Sequence, residues 1–408
     1  MLFRIVLAAL CVCALPAHRA DAASLLLQWD ASSEAIAGYS VRYGTVSGVY
    51  TETVDVGMET FWRPQALTAG HRYYFVVQSY DASGGVSPFS HEVASVASDD
   101  PIQSDGLRFG SADVDDMVVW RPGDGRWYIR TGSSFYQSSF SLQWGAGALK
   151  DVPAPGDYDG DAVTDVAVWR PGDGMWHVRT SGSGYRESFS AQWGAGALGD
   201  TPVPGDYDGD GKIDLAVWRP GTGVWHVRTS SSGYQRIFSV QWGAGAHQDV
   251  PLPADYDGDG RADMVVWRPA EGMWYVRTSS SAFQSYFSVQ WGGGVHGDVA
   301  VPADYDGDGR ADIAVWRPAD GVWYVRTSSS GYQQSFAVQW GSGVHGDITV
   351  PADYDGDRRA DLAVWRPAEG MWYVRTSSSG YRNFFAVQWG SGVHGDVPMS
   401  NGLTRSVR

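Results

Sequence analysis

Between Leu215 and Asp255 the chain changes its hydrophobic rhythm several times. Leu215-Ala216-Val217-Trp218 is an unbroken apolar run, as expected of a strand buried on both faces. Pro220-Gly221-Thr222-Gly223 interrupts it as a turn. From Val224 to Thr229 the pattern alternates, with Trp225, Val227 and Thr229 on one face, and Phe238, Val240 and Trp242 then alternate with Ser239 and Gln241 in a third strand. Val250 to Asp255 makes a fourth, short strand that Pro251 and Pro253 confine to a sheet edge. No helical period occurs. The cycle repeats every 49 residues: Asp-Tyr-Asp-Gly-Asp begins at Asp157, Asp206, Asp255, Asp304 and Asp353, and Trp-Arg-Pro at Trp120, Trp169, Trp218, Trp267, Trp316 and Trp365. Gln-Trp-Gly keeps the same period from Gln143 to Gln388. Four strands in each of six such units predict a β-propeller, with seven blades as the alternative. The three Trp of each unit are expected to fill the layers between blades.

Residues 23–98 lack this period. The early Trp29, the Gly38-Tyr39 pair, the Leu67-Gly70-Tyr73 corner and the closing Ser87-Pro88-Phe89-Ser90 resemble a bacterial fibronectin type III module. That resemblance implies an N-terminal sandwich whose first strand is missing, because the preceding segment reads as a leader. Arg4, the apolar run Ile5 to Leu15 and Ala20-Asp21-Ala22 form a signal peptide over residues 1–22, with cleavage expected near Ala22. Both cysteines, Cys11 and Cys13, fall inside it, so the exported chain has no disulfide or thiolate chemistry. Residues 99–107 read as a linker, 108–400 as the propeller and 401–408 as a tail. The fold class is all-β.

The formal net charge of −16 excludes a basic surface for nucleic acid and points to cations as small partners. Five loops concentrate that charge. Carboxylates at positions one, three, five and nine, with the position-seven carbonyl, suit one hard cation of the size of Ca²⁺. The candidate ligands are Asp157, Asp159, Asp161, Val163 and Asp165, then Asp206, Asp208, Asp210, Lys212 and Asp214. The third and fourth sets are Asp255, Asp257, Asp259, Arg261 and Asp263, and Asp304, Asp306, Asp308, Arg310 and Asp312. The last is Asp353, Asp355, Asp357, Arg359 and Asp361. Unneutralised, twenty carboxylates so clustered would repel one another. About five structural Ca²⁺ are therefore expected, taking the leader-free charge from −17 to about −7. An EF-hand is excluded, since position twelve is Val217 rather than Glu and strands flank the loop. Ala162 and Arg358 replace Gly at position six, so those two loops are expected to bind more weakly. In the first unit Arg108 stands where Asp157 stands in the next, and of the four carboxylates only Asp116 remains.

A strand, this loop and a strand ending in a Pro turn resemble the FG-GAP and VCBS repeats of integrin-alpha-like propellers across residues 108–400, with Trp-Arg-Pro in place of the frequent Gly-Ala-Pro. The resemblance implies structural calcium, export and adhesive or glycan-related roles. His247, His296, His345 and His394 read as turn residues, and Arg179, Arg228, Arg277, Arg326 and Arg375 as partners of nearby carboxylates. Nucleophile elbows, phosphate loops and His-Glu-x-x-His are absent. Polar groups repeated five or six times favour multivalent binding over one active site. The leading expectation is a secreted, monomeric, calcium-binding protein whose partner is a polysaccharide or a cell-surface protein, with no nucleic acid and no membrane span; periplasm or cell surface is the alternative location. The rival is a calcium-dependent polysaccharide lyase or glycoside hydrolase, and the third reading a ligand-free envelope module. The chain end, Asp396 to Met399, aligns with the leading-strand segment of other units and is expected to complete the first blade.

Overall fold

A computed structural model describes residues 5–7, 27–29, 32, 36–58, 61–62, 67, 71–96, 107–109 and 114–400. Among them the elements are strands and short 3-10 turns, and no helix is long and apolar enough to cross a membrane. The chain divides into two units, Met1–Ile102 and Gln103–Arg408. Seven four-stranded sheets are described, one in the first unit and six in the second.

The first unit pairs a three-stranded sheet with a four-stranded one. Leu27–Trp29 lies between Ile5–Leu7 and Phe61–Trp62, while Gly38–Gly44 lies between Glu52–Gly57 and Arg72–Tyr80, with Val93–Val96 outermost. Both sheets contribute to one core, in which Leu27 and Trp29 meet Tyr39, Val41, Phe75 and Val77. Gly38 leaves no room for a side chain, because a Cβ there would lie 2.3 Å from the Tyr80 hydroxyl and 2.9 Å from the Gly57 carbonyl oxygen. Ser87 and Ser90 tie the following segment back by accepting from the Ser79 and Val77 amides. The first-strand position is thus filled by Ile5–Leu7, inside the segment that reads as a leader; Ala20-Asp21-Ala22, residues 99–106 and the tail 401–408 lie outside the described residues.

Each blade of the second unit follows the rhythm of its sequence. In the third, Thr201–Pro202, Leu215–Arg219, Val224–Arg228 and Ile237–Gln241 pair in that order, with Trp218 opposite Trp225. The apolar run is buried at four successive positions, the next strand at alternate ones, and the last keeps only Phe238 and Val240 half-buried. The core therefore lies between blades: Trp218, Trp225 and Val227 pack against Ala262, Met264 and Val266 of the fourth blade. Removing such apolar surface from water is the main stabilisation of a ring whose blades touch only their neighbours. The third Trp of a unit bridges the junction, with Trp242 Nε1 donating to the Tyr275 carbonyl at 3.1 Å.

The ring closes. Val397–Met399 pairs antiparallel with Met117–Arg121, Val397 opposite Trp120, completing the first blade as the sequence predicts. Around the ring the amide at loop position eight donates to the position-one carbonyl of the preceding loop, from Ile213 to Asp157 at 2.7 Å through to Asp115 and Asp353 at 2.8 Å, where last blade meets first.

The strand arginines differ from expectation. Arg228 stacks on Trp193 of the preceding blade at 5.1 Å and donates to the Gln192 carbonyl, as Arg179, Arg277, Arg326 and Arg375 do with their own neighbours. The carboxylates pair instead with the arginine of Trp-Arg-Pro: Arg219 meets Asp200 through two bonds of 2.7 and 2.8 Å, with the Asp200 side chain fully buried. Geometry decides the exchange, because Arg219 ends a strand beside the turn carrying Asp200, whereas Arg228 faces the junction with the preceding blade. The turn histidines sit on exposed 3-10 turns, His247 closing Gly245–His247.

Candidate metal centres

Each acidic loop joins the short leading strand to the first long strand. In the loop opening at Asp206, both oxygens of that residue accept backbone N–H groups, Gly209 at 2.6 Å and Gly211 at 2.8 Å, which winds the chain tightly around the carboxylate. Gly209 has φ +82, and a Cβ on it would sit 2.7 Å from the Arg261 guanidinium of the next blade. Position six is also left-handed, Gly211 at φ 82, so Ala162 at φ 62 and Arg358 at φ 67 carry strain that Gly avoids.

Carboxylate oxygens at positions one, three and five lie within 4.8 Å of one another in the loops opening at Asp206, Asp255, Asp304 and Asp353. In the first acidic loop the trio is Asp157, Asp159 and Asp165. The remaining candidates stand beside these groups. Position nine is buried and serves the backbone: Asp214 accepts from the amides of Tyr207 at 2.9 Å and Ser230 at 2.6 Å. Asp263, Asp312 and Asp361 repeat that arrangement. Position-seven carbonyls of Val163, Lys212 and Arg359 accept from the serines that also bond position five.

Those serines were invisible as site residues. Ser230 Oγ lies 2.8 Å from Asp210 and 2.7 Å from Asp214, and Ser279 Oγ lies 2.8 Å from both Asp259 and Asp263. One hydroxyl proton cannot satisfy two carboxylates at once. Ser231 and Ser280 cap position three, bonding Asp208 and Asp257. The signal was the recurring Thr-Ser-Ser-Ser-Gly-Tyr string, which reads as an ordinary turn.

The electrostatics of the loops suit a cation. Asp208 Oδ1 and Asp355 Oδ1 are buried without a hydrogen-bond partner. Burial, with neighbouring carboxylates adding to it, pushes Asp165 up to about 6 and Asp214, Asp263 and Asp312 to about 7. Asp353 and Asp361 rise to about 8 for the same reason. Hard oxygen donors, three or four of them anionic, in a loop of this size fit Ca²⁺ better than a softer or smaller ion.

The first blade solves the problem differently. At position one Arg108 donates from Nε to Asp115 at 3.0 Å, both side chains buried, and Asp115 accepts the Asp353 amide of the sixth blade. Asp116 keeps the position-nine role, accepting from Phe109 and Gly132 at 2.7 Å each.

Residues 206–266, 255–315 and 304–364 match the FG-GAP-like repeat family. Each matched repeat opens at an acidic loop and runs through the next one into the first long strand of the following blade. No curated protein matches the chain by sequence. Among solved structures, apo AztD from Citrobacter koseri is 9% identical over 87% of this chain and 96% of its own, with a TM-score of 0.36. A protein from Lactobacillus plantarum is 12% identical over 74% of this chain and 95% of its own, with a TM-score of 0.35.

Proposed function

We propose that the chain is an exported calcium-binding repeat protein that binds a polysaccharide or a surface protein, its ring clipped by about five Ca²⁺. The observation that carries the metal reading is the closure of three carboxylates in each acidic loop, with Asp208 Oδ1 and Asp355 Oδ1 buried where no protein donor reaches them. In each loop positions one, three and five, with position nine and the position-seven carbonyl, would hold the ion. Bound calcium would neutralise the carboxylates that burial otherwise disfavours. The N-terminal unit is proposed as a fibronectin type III module: the strand orders, the shared core around Trp29 and Tyr39, and the Ser87 and Ser90 ties support that assignment. Its role would be that of a spacer. A binding role is favoured over catalysis because the polar groups of the ring recur from blade to blade, which suits multivalent attachment.

Because an ion that binds only the folded loops stabilises them by mass action, chelator should lower the melting temperature by many degrees and added Ca²⁺ should restore it. A melt indifferent to chelator contradicts the metal reading.

A further inference from the structure

Every blade junction repeats one set of positions: the Trp after one outer strand, the central residue of the next blade's second long strand and the first residue of that blade's outer strand. Two junctions differ from the rest. Between the third and fourth blades these positions are Trp242, Tyr275 and Tyr286, and the rings bound an open cleft of about 310 Å³. Trp242 lies 5.2 Å from Tyr286, tilted by 54°, and meets Tyr275 edge-on at 6.5 Å. Between the fifth and sixth blades Trp340 meets Phe384 in nearly the same way, at 5.3 Å and 51°, beside Tyr373. Elsewhere the outer-strand position is Ser139, Ser188, Ile237 or Ser335. Tyr286 is 64% exposed and Phe384 62%, so two large rings stand in water where a serine serves the same fold.

The charges around the cleft say what would cover them. Arg268 is held by Asp249 through two bonds and stacks on Tyr275 at 4.9 Å. Arg277 stacks on Trp242 and donates to the carbonyls of Phe283 and Gln241. Glu271 accepts from the hydroxyl of Tyr275, which lines the cleft, at 3.0 Å, as Glu369 does from Tyr373 at 2.6 Å. Two guanidinium groups and two carboxylates cancel. A cationic ligand would meet rings that already face guanidinium, and an anionic one would find those arginines committed to other acceptors. What remains is a neutral ligand with one apolar face and a hydroxylated edge.

We propose that the Trp242–Tyr275–Tyr286 and Trp340–Tyr373–Phe384 clefts each bind one pyranose ring of a neutral polysaccharide, its C–H face against the exposed aromatic ring and its hydroxyls on Glu271 or Glu369. The inference rests on the polysaccharide reading above and gives it a location. Two such clefts on one ring engage one polymer together, so affinity exceeds that of either alone.

The test is affinity electrophoresis of the full chain, with Ca²⁺, through gels containing laminarin, xyloglucan, galactomannan or the acidic polymer alginate. At least one neutral gel should retard the protein. The variant Tyr286→Ser with Phe384→Ser should weaken that retardation about tenfold or more while leaving the melting temperature in place, since other blades carry serine there. Retardation that survives the double variant, or that occurs in alginate alone, overturns the cleft assignment and leaves the polysaccharide reading standing. If no gel of either kind retards the protein, the polysaccharide reading fails and this inference with it.

Discussion

The first and third blades share a hydrogen-bonded frame around the loop but hold it by different chemistry. In the third, Asp206 folds the loop around its carboxylate, with Asp208 and Asp210 within 4.8 Å. In the first, Arg108 takes that place and meets the buried Asp115. Yet the frame is shared: Asp116 and Asp214 each accept one amide from position two and one from the following hairpin loop, and both blades make the position-eight bond to the preceding loop. The frame therefore does not need carboxylates at positions one, three and five. A bound ion, as proposed, would account for their presence in five loops despite mutual repulsion, and the first blade carries its own cation as a side chain.

The largest expected break of this comparison comes from the chain end. Truncation after Gly395 removes Val397–Met399 and also Asp396, whose carboxylate holds Arg121 through bonds of 2.6 and 2.9 Å. The first blade then loses an edge strand and its buried ion pair, so light scattering should report aggregation, and a hydrophobic dye should bind, at temperatures where the full chain shows neither. A stable monomeric truncation would show that closure lies elsewhere.

Next come two substitutions that should separate the two kinds of loop. Arg108→Met leaves Asp115 buried without its partner and should cost about 3–5 kcal/mol by denaturant unfolding, with or without Ca²⁺. Asp257→Ala removes a position-three ligand and should cost a few kcal/mol in Ca²⁺ but little in chelator, with one ion fewer bound. Equal calcium dependence of both effects would erase the distinction.

A smaller effect is the pH dependence of the metal-free protein. The carboxylates of Asp214, Asp263 and Asp312 sit at about 7 in the folded state against 3.8 ordinarily, so the native state binds more protons than the unfolded one between those values. Their contribution is fully present below about pH 4 and is lost as pH rises through about 7. The metal-free melting temperature should thus fall from pH 5 to pH 8. Saturating Ca²⁺, which binds the ionised form, should remove or reverse that slope.

Much of this was legible because a strict period repeats every cue. The apolar run at Leu215, the alternation through Trp225 and the Pro-bearing edge strand each gave the observed element, and the chain end gave the closing strand. The same strictness hid the partners. Two arginines and several aspartates recur with one period, so spacing alone cannot tell whether Arg219 or Arg228 meets Asp200; only the direction each side chain takes from its strand does. Ser230 was hidden for a related reason, since it reaches Asp214 across 16 residues of hairpin. Arg108 could be aligned with Asp157 but not seen as a cation, because Asp115 stands at a position where the other loops hold Thr164, Ile213 or alanine.

The most direct test of the central claim is a count of bound metal on the intact chain by calorimetric titration with Ca²⁺, checked by elemental analysis. The account predicts five ions and no sixth, three of them tight and two weaker, the weaker pair becoming tight in Ala162→Gly with Arg358→Gly. No bound calcium, or a sixth ion that disappears when Arg108 and Asp115 are replaced, would contradict it.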